Sequence, residues 1–96
     1  GDVMALVKPQ FEAGKENVGK GGIVRDPKIH LMVLEQTAKM ATEVGFVVVD
    51  ASFSPITGGE GNIEFLFHLK NPHEGEQLQA FTNFESVVKA AHSELK

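Results

Sequence analysis

Apolar and polar positions divide this chain into three short apolar-rich runs and two longer segments with helical periodicity. The runs, which predict β-strands, cover residues 3–7, 46–53 and 63–70. The first run is apolar at every position, which is typical of a strand covered on both faces, as in a parallel sheet. The third run alternates, so its odd-numbered residues predict one face and its even-numbered residues, including Glu64, the other.

Two segments have apolar residues at the spacing of an amphipathic helix. The first starts at Asp26 and Pro27, an N-cap residue followed by proline at the first helical position. Gly45 is the expected glycine after its last turn, so the pattern predicts a helix over residues 27–44. The second helix is predicted over residues 76–95. The expected apolar stripes are Ile29, Met32, Val33, Ala41 and Val44 in the first helix, and Leu78, Phe81, Phe84, Val88, Ala91 and Leu95 in the second.

The order of these elements predicts the direction of the strands. A helix connects the first two strands, so they should run parallel with a right-handed crossover. No helix lies between the second and third strands, so the third strand should return antiparallel. The predicted fold class is therefore α/β, with the element order β-α-β-β-α.

Composition narrows the classes of function. The chain has 96 residues, a net charge of −4 and no Cys, which excludes disulfides and thiolate metal sites, and no metal site is predicted. No apolar stretch is long enough to span a membrane. An acidic chain binds nucleic acid poorly by bulk electrostatics, so any RNA contact must come from a local patch or a missing domain. The start at Gly1, almost directly on a strand, suggests a piece of something longer.

Two charged residues are predicted to meet at one edge of the sheet. Pro9 ends the first strand and leaves Lys8 at its C-terminal edge, where open α/β sheets bind ligands. The antiparallel third strand starts at the same edge with Glu64, a lone carboxylate in an apolar strand that needs a partner if buried. Lys8 is the expected partner, within reach of a direct ion pair or of one bridging water. A structural ion pair, or a lysine that merely solvates a strand end, explains these residues as simply as catalysis does.

A glycine-rich segment over residues 12–25 follows the first strand. Lys15, Lys20 and Arg25 lie among its glycines and are candidates for contacts to phosphates. Long ordered loops in small domains are often functional. A solvated loop without a ligand is an equally good interpretation of the same residues.

Four separated motifs then become recognisable in their order along the chain. They are LVKPQFE at residues 6–12, NVGKGGIVRD at 17–26, SPITG at 54–58 and GNIEF at 61–65. Together they resemble the TlyA family, hemolysin-like proteins related to the FtsJ-type ribosomal RNA 2′-O-methyltransferases. The resemblance covers about residues 1–70, and the last predicted helix is less diagnostic.

The resemblance implies a Rossmann-like domain that uses S-adenosylmethionine, with residues 1–96 as its C-terminal part. The three strands are then its fifth, sixth and seventh, and the antiparallel seventh lies between the other two. An N-terminal RNA-binding module of the S4 type and the cofactor-binding half are expected to be absent from this chain. By motif, Lys8 matches the second Lys, and Glu64 the Glu, of the family's Lys-Asp-Lys-Glu catalytic tetrad.

The resemblance thus predicts a cytoplasmic enzyme that acts on ribosomal RNA, of which this fragment alone is inactive. A lysine can accept or orient the proton of a ribose 2′-hydroxyl, and a carboxylate can hold that lysine in place. Two alternatives stay open: a membrane-active hemolysin or cytolysin, and a non-catalytic RNA-associated scaffold. If the first strand lacks its normal neighbour, the fragment is also expected to self-associate through residues 3–7.

Overall fold

The computed structural model describes residues 2–19, 21–57 and 61–95. Its elements, in chain order, are β1 (Asp2–Val7), α1 (Pro9–Glu12), a 3-10 helix (Lys15–Asn17), α2 (Pro27–Glu43), β2 (Val47–Phe53), β3 (Phe65–Lys70) and α3 (Phe84–Glu94). The predicted order β-α-β-β-α is confirmed. The additions are the two short helical turns that follow β1, where the sequence predicts only a loop.

The three strands form one sheet in the order β1-β3-β2, with β3 antiparallel to both neighbours. The prediction that the last strand is antiparallel and central is confirmed, and β1 and β2 run in the same direction without touching. Phe65, the first residue of β3, pairs with Val7 on one side and Phe53 on the other. The ends of β1 and β2 and the start of β3 therefore share one rim of the sheet.

Both long helices pack on the same face of this sheet. Phe65 and Phe67 point to that face and are fully buried. The ring of Phe65 contacts His30 of α2, and the ring of Phe67 contacts Phe84 of α3, each with ring centroids 5.5 Å apart. The remaining buried apolar residues of the core are Val7, Ala13, Val24, Val33, Leu34, Val48, Ala51, Val87, Val88 and Ala91.

The opposite face of the sheet is open in the described part of the chain. Met4 and Leu6 of β1 point to it and are 64% and 48% exposed. The apolar pattern of β1 predicts burial on both faces, but here only the face that carries Val7 is covered. The outer edge of β1 is also unpaired, because β3 is its single neighbour among the described strands.

Helix α2 begins and ends where the sequence predicts, within one residue. The Asp26 carboxylate accepts a hydrogen bond from the Lys28 backbone N–H at 2.8 Å, and Gly45 adopts a φ of 92° after the last turn. The predicted apolar stripe is wrong at its end, because Val44 is the C-cap residue and is 71% exposed. On the buried side, α2 includes two residues that the stripe did not predict, His30 and Leu34.

The predicted start of α3 is wrong. The helix begins at Phe84 rather than near residue 76, with Asn83 as the N-cap residue. The Phe81 N–H donates to the Val48 carbonyl at 2.8 Å, so the chain before the helix runs beside β2 instead of coiling. Leu78 and Phe81 have helical spacing, but this backbone contact with the sheet overrides the local pattern.

Two histidines join α2 to α3. The fully buried His30 lies 3.0 Å from the Val24 carbonyl through Nε2 and 2.7 Å from His92 Nε2 through Nδ1. A carbonyl oxygen can only accept, so His30 Nε2 carries a proton and its Nδ1 is the acceptor for the His92 Nε2–H. Burial first, then the neighbouring His92, lowers the pKa of His30 from 6.5 to about 4, against the opposing effects of the hydrogen bond to Val24 and of the Asp26 charge.

The contact between His30 and His92 predicts that the free energy of unfolding decreases in mild acid. A histidine whose folded pKa is lowered contributes stability that is fully present above pH 6.5 and is lost as the pH falls towards about 4. The expected loss from His30 is about 3 kcal/mol in the free energy of unfolding, measured by urea denaturation at pH 7 and pH 4.5. His30→Gln keeps a donor and an acceptor but does not titrate, so its loss should be smaller. His73→Gln, at an exposed histidine, is the control. Equal losses in all three proteins would contradict the assignment.

Candidate active site

The shared rim of the sheet brings together the residues that the sequence singles out. Lys8 follows Val7 directly, and Glu64 precedes Phe65, the pairing partner of Val7. On the other side the Ser54 N–H donates to the Glu64 carbonyl at 2.8 Å, which extends the pairing of β2 and β3 by one residue. Glu64 thus lies at the centre of the rim, between the ends of β1 and β2, as the strand directions predict.

Glu64 is buried, with only 7% of the residue exposed, and it has a different partner from the one predicted. The Gln10 side-chain Nε2–H donates to Glu64 Oε2 at 2.9 Å. No direct ion pair joins Lys8 to Glu64. The Lys8 ammonium instead lies 5.8 Å from the centroid of the Phe11 ring. The prediction of a direct ion pair between Lys8 and Glu64 is therefore wrong, and Gln10 takes that place.

The turn after Pro9 explains why Gln10 reaches Glu64. Pro9 is buried at the start of α1, and the N–H groups of Phe11 and Glu12 both donate to the Lys8 carbonyl, at 3.0 and 3.2 Å. Because α1 coils immediately after β1, the chain folds back over the rim and carries Gln10 to the carboxylate. Proline at a first helical position was the available signal, but it reads equally well as a strand terminator.

The side-chain oxygen of Gln10, Oε1, accepts no hydrogen bond from the described residues. Glu64 can accept but not donate when ionised, so the amide turns its Nε2 towards the carboxylate. Gln10 Oε1 is then buried without a hydrogen-bond partner. A buried polar atom without a partner is costly. The Gln10–Glu64 pair thus presents a charged and a neutral acceptor, both of which match an ammonium group.

Asn62 fixes the glycine-rich segment to this rim. Its side chain is almost fully buried, accepts from the Val24 N–H at 2.9 Å and donates to the Gly22 carbonyl at 2.9 Å. Gly22 needs the freedom of glycine for this contact, because its φ is 77°. Asn62 lies two residues before Glu64, so the loop is held beside the candidate site. No local sequence pattern indicates this role of Asn62, because Val24 and Gly22 lie far from it in the sequence.

The candidate RNA contacts lie on two different concave surfaces. Lys15 lines a concave surface that encloses a volume of about 430 Å³. This surface, here called the Phe11 surface, is formed by Gln10, Phe11, Gly14, Lys15 and Val18. Arg25 lines another surface, shared with His30 and His92. Lys15 and Arg25 are both exposed, and Lys20 lies outside the described residues. The structure therefore places only Lys15 on the surface that adjoins Gln10.

Comparison with known proteins shows the family to which this chain belongs. The sequence model of FtsJ-like methyltransferases matches residues 2–71, a stretch that contains all of β1, α2, β2 and β3. The chain belongs to the FtsJ-like methyltransferase family. Its mixed α/β fold, with the antiparallel strand in the centre, is an FtsJ-like methyltransferase fold and is consistent with the predicted C-terminal part of a Rossmann-like domain.

Individual relatives carry two kinds of name. The chain is 56% identical over 97 aligned residues to YqxC of Bacillus subtilis, which is provisionally named an rRNA methyltransferase. It is 37% identical over 93 residues to the 16S/23S rRNA (cytidine-2′-O)-methyltransferase TlyA of Mycobacterium tuberculosis. A solved structure from Streptococcus thermophilus, provisionally named a hemolysin, superposes on 98% of the chain with a TM-score of 0.88 and 51% identity. Methyltransferase and hemolysin names thus occur among relatives of the same chain.

The chain aligns with only part of these proteins. The two sequence alignments include 99% and 97% of this chain but only 34% of the length of each relative. The chain also covers 34% of the Streptococcus thermophilus structure. In the part of the chain that the structure describes, no helix is long and apolar enough to cross a membrane.

The groups at the end of β1 and on the Phe11 surface do not fit S-adenosylmethionine. Nucleotide-like cofactors are held in α/β sheets by a glycine-rich turn after a strand and by an acidic side chain on the ribose. Here β1 is followed at once by Lys8 and Pro9, which start a helix, and no carboxylate lines the Phe11 surface. What the rim offers is a lysine, a buried carboxylate and an amide, groups suited to a proton or a hydroxyl rather than to a cofactor.

Proposed function

We propose that the full-length protein is a cytoplasmic, S-adenosylmethionine-dependent ribosomal RNA 2′-O-methyltransferase. In this proposal residues 1–96 are the C-terminal portion of its methyltransferase domain. The observation that carries it is the buried Glu64, held by Gln10 at the rim where β1 ends in Lys8. Membership of the FtsJ-like family and the rRNA methyltransferase names of the relatives support the substrate class.

Lys8 and Glu64 are proposed as catalytic residues. A ribose 2′-hydroxyl is a poor nucleophile, and its proton must leave when the oxygen is methylated. Lys8 is proposed to orient this hydroxyl, to release its own proton to solvent, and then to accept the hydroxyl proton as the oxygen takes the methyl group, which leaves an ammonium that Glu64 can hold. S-adenosylmethionine supplies the methyl group, and the residues that bind it lie outside those described here.

Glu64 and Gln10 are proposed to position Lys8 during this step. Lysine has a flexible stem of four carbons, and we propose that the Lys8 ammonium moves from the Phe11 ring to the carboxylate by rotation of this stem. There it would meet Glu64 and the unpartnered Gln10 Oε1, which together match two of its three donors. The Gln10 hydrogen bond keeps the carboxylate in one orientation before the lysine arrives.

Lys15, Lys20 and Arg25 are proposed to contact RNA phosphates around the rim. The exposure of Lys15 and Arg25 supports this role, since phosphate contacts need cations that reach solvent. The Asn62 hydrogen bonds support it too, because they hold the loop beside Glu64. The net negative charge of the chain argues that such contacts are local rather than a general affinity for nucleic acid.

The first test is Lys8→Ala in the full-length protein. Loss of the proton acceptor is expected to lower methyl transfer to ribosomal RNA at least about 100-fold. Lys8→Arg should fail similarly, because a guanidinium cannot give up its proton. Methyl transfer is measured with isotope-labelled cofactor, and thermal unfolding checks the fold. Lys39→Ala, at an exposed lysine of α2, is the control. Near-normal turnover of Lys8→Ala would make Lys8 structural or incidental.

The second test concerns the 96-residue chain alone. It is expected neither to bind S-adenosylmethionine appreciably nor to methylate RNA, because the end of β1 and the Phe11 surface lack the groups that hold such a cofactor. Isothermal calorimetry with the cofactor is the measurement, and the full-length protein is the positive control. Binding by the chain in the micromolar range would contradict the proposal that the cofactor is held elsewhere.

We also propose that the 96-residue chain self-associates through residues 3–7. The unpaired outer edge of β1 supports this, as do the exposed side chains of Met4 and Leu6 beside it. Open apolar edges of this kind pair with other chains unless a charge blocks them.

Sedimentation at tens of micromolar should therefore detect a dimer or a larger species. Met4→Lys is expected to shift it towards monomer by placing a charge beside the edge. Val44→Lys alters a similarly exposed apolar residue at the end of α2 and should leave the association unchanged. A monomeric parent chain would refute self-association through this edge.

A further inference from the structure

Phe11 is an exposed aromatic ring on a fixed turn next to the proposed catalytic lysine. It is 75% exposed, whereas its neighbour Pro9 is buried and anchors α1 against the core. The backbone N–H of Phe11 donates to the Lys8 carbonyl at 3.0 Å, so the ring projects from hydrogen-bonded backbone. Neither the proposed proton transfer nor the packing of the described core requires an aromatic side chain here.

The groups around this ring have the chemistry of a nucleic-acid contact. The Phe11 surface combines the exposed ring with the Lys15 cation and the apolar side chain of Val18. Lys8 adds a second cation, with its ammonium 5.8 Å from the ring centroid. An aromatic ring flanked by cations is the arrangement that binds single-stranded nucleic acid, where the base stacks and the cations meet the backbone.

We propose that Phe11 is the stacking platform for the base of the nucleotide that is methylated. This inference rests on the proposed function and adds the substrate contact that the catalytic residues lack. The 2′-hydroxyl sits on the sugar that carries the base, so a base stacked on Phe11 holds its own 2′-hydroxyl within reach of Lys8. Lys15 then lies on the same surface for an adjoining phosphate. Enzymes that modify single nucleotides commonly take the base out of its stack, and aromatic side chains receive it.

The Phe11 platform is tested by substitution in the full-length protein. Phe11→Leu keeps an apolar side chain but removes the ring, and it is expected to raise the KM for ribosomal RNA roughly 5- to 150-fold. Phe11→Tyr and Phe11→Trp keep a ring and should stay close to the parent. Val44→Ala, at a similarly exposed residue on the opposite rim of the sheet, is the matched control. Thermal unfolding should be unchanged in all of them.

A second measurement does not depend on catalysis. Ultraviolet irradiation of the protein with ribosomal RNA, without S-adenosylmethionine, should cross-link RNA to the peptide that contains Phe11. Mass spectrometry should find this cross-link in the parent and in Phe11→Tyr but not in Phe11→Leu. The cross-link supports the platform even if the parent protein proves unable to methylate RNA, in which case only the proposed function fails.

Two results would overturn the platform. One is a parent protein that methylates RNA while Phe11→Leu keeps its KM and the cross-link pattern is unchanged. The other is a Phe11→Leu variant that unfolds at a clearly lower temperature with an unchanged KM, which would make the ring a packing residue against another part of the full-length protein. Neither result bears on the proposed roles of Lys8 and Glu64, which the Lys8→Ala substitution tests separately.

Discussion

The antiparallel return of β3 between β1 and β2 is the constraint on which the rest of this structure depends. Phe65 pairs with Val7 and Phe53 at once, so two strand ends and one strand start meet at a single rim. The same pairing aims Phe65 and Phe67 at the helices, where both are fully buried. If β3 shifted by one residue relative to its neighbours, its two faces would exchange. These rings would then leave the core, and Glu64 would leave its present place on the rim.

Burial of Glu64 at that rim is physically demanding. An ionised carboxylate removed from water needs compensation, and here one amide N–H from Gln10 supplies it. Structural carboxylates are usually satisfied more completely, so a single neutral donor leaves Glu64 with capacity to hold a cation. The nearby Lys8 ammonium rests over the Phe11 ring, a weaker interaction than a buried ion pair. This arrangement is better suited to a lysine that changes position than to a permanent salt bridge.

Local sequence signals predicted the structural features that depend on neighbouring residues, namely strand ends, helix ends and strand direction. Pro9 ended a strand, Asp26 capped a helix, Gly45 followed its last turn, and the missing helix before β3 set the direction of that strand. Those features were enough to place Lys8 and Glu64 at one rim. They did not predict Gln10 as the partner of Glu64, since the two residues are far apart in sequence and meet only because α1 coils back over the rim.

Features that depend on packing between distant elements were missed for the same reason. The residues before α3 have helical spacing, yet the Phe81 N–H pairs with the Val48 carbonyl and delays the helix to Phe84. His30 falls on the buried side of α2, but no local pattern indicates that His92, on another helix, donates to it. Tertiary contacts override propensity in both cases.

The two histidines also explain how the last helix relates to the candidate site. His92 donates to His30, and His30 donates to the Val24 carbonyl. The Val24 N–H in turn donates to Asn62, which lies shortly before β3. Each bond joins a different element, so a continuous chain of hydrogen bonds runs from α3 through α2 and the glycine-rich loop to the residue two positions before Glu64. Buried polar chains of this kind hold one arrangement strongly when every member is satisfied. Helix α3 therefore does more than cover the sheet, because its His92 supplies the donor that His30 Nδ1 needs. Through His30, Val24 and Asn62 this contact also helps to hold the loop that borders Glu64.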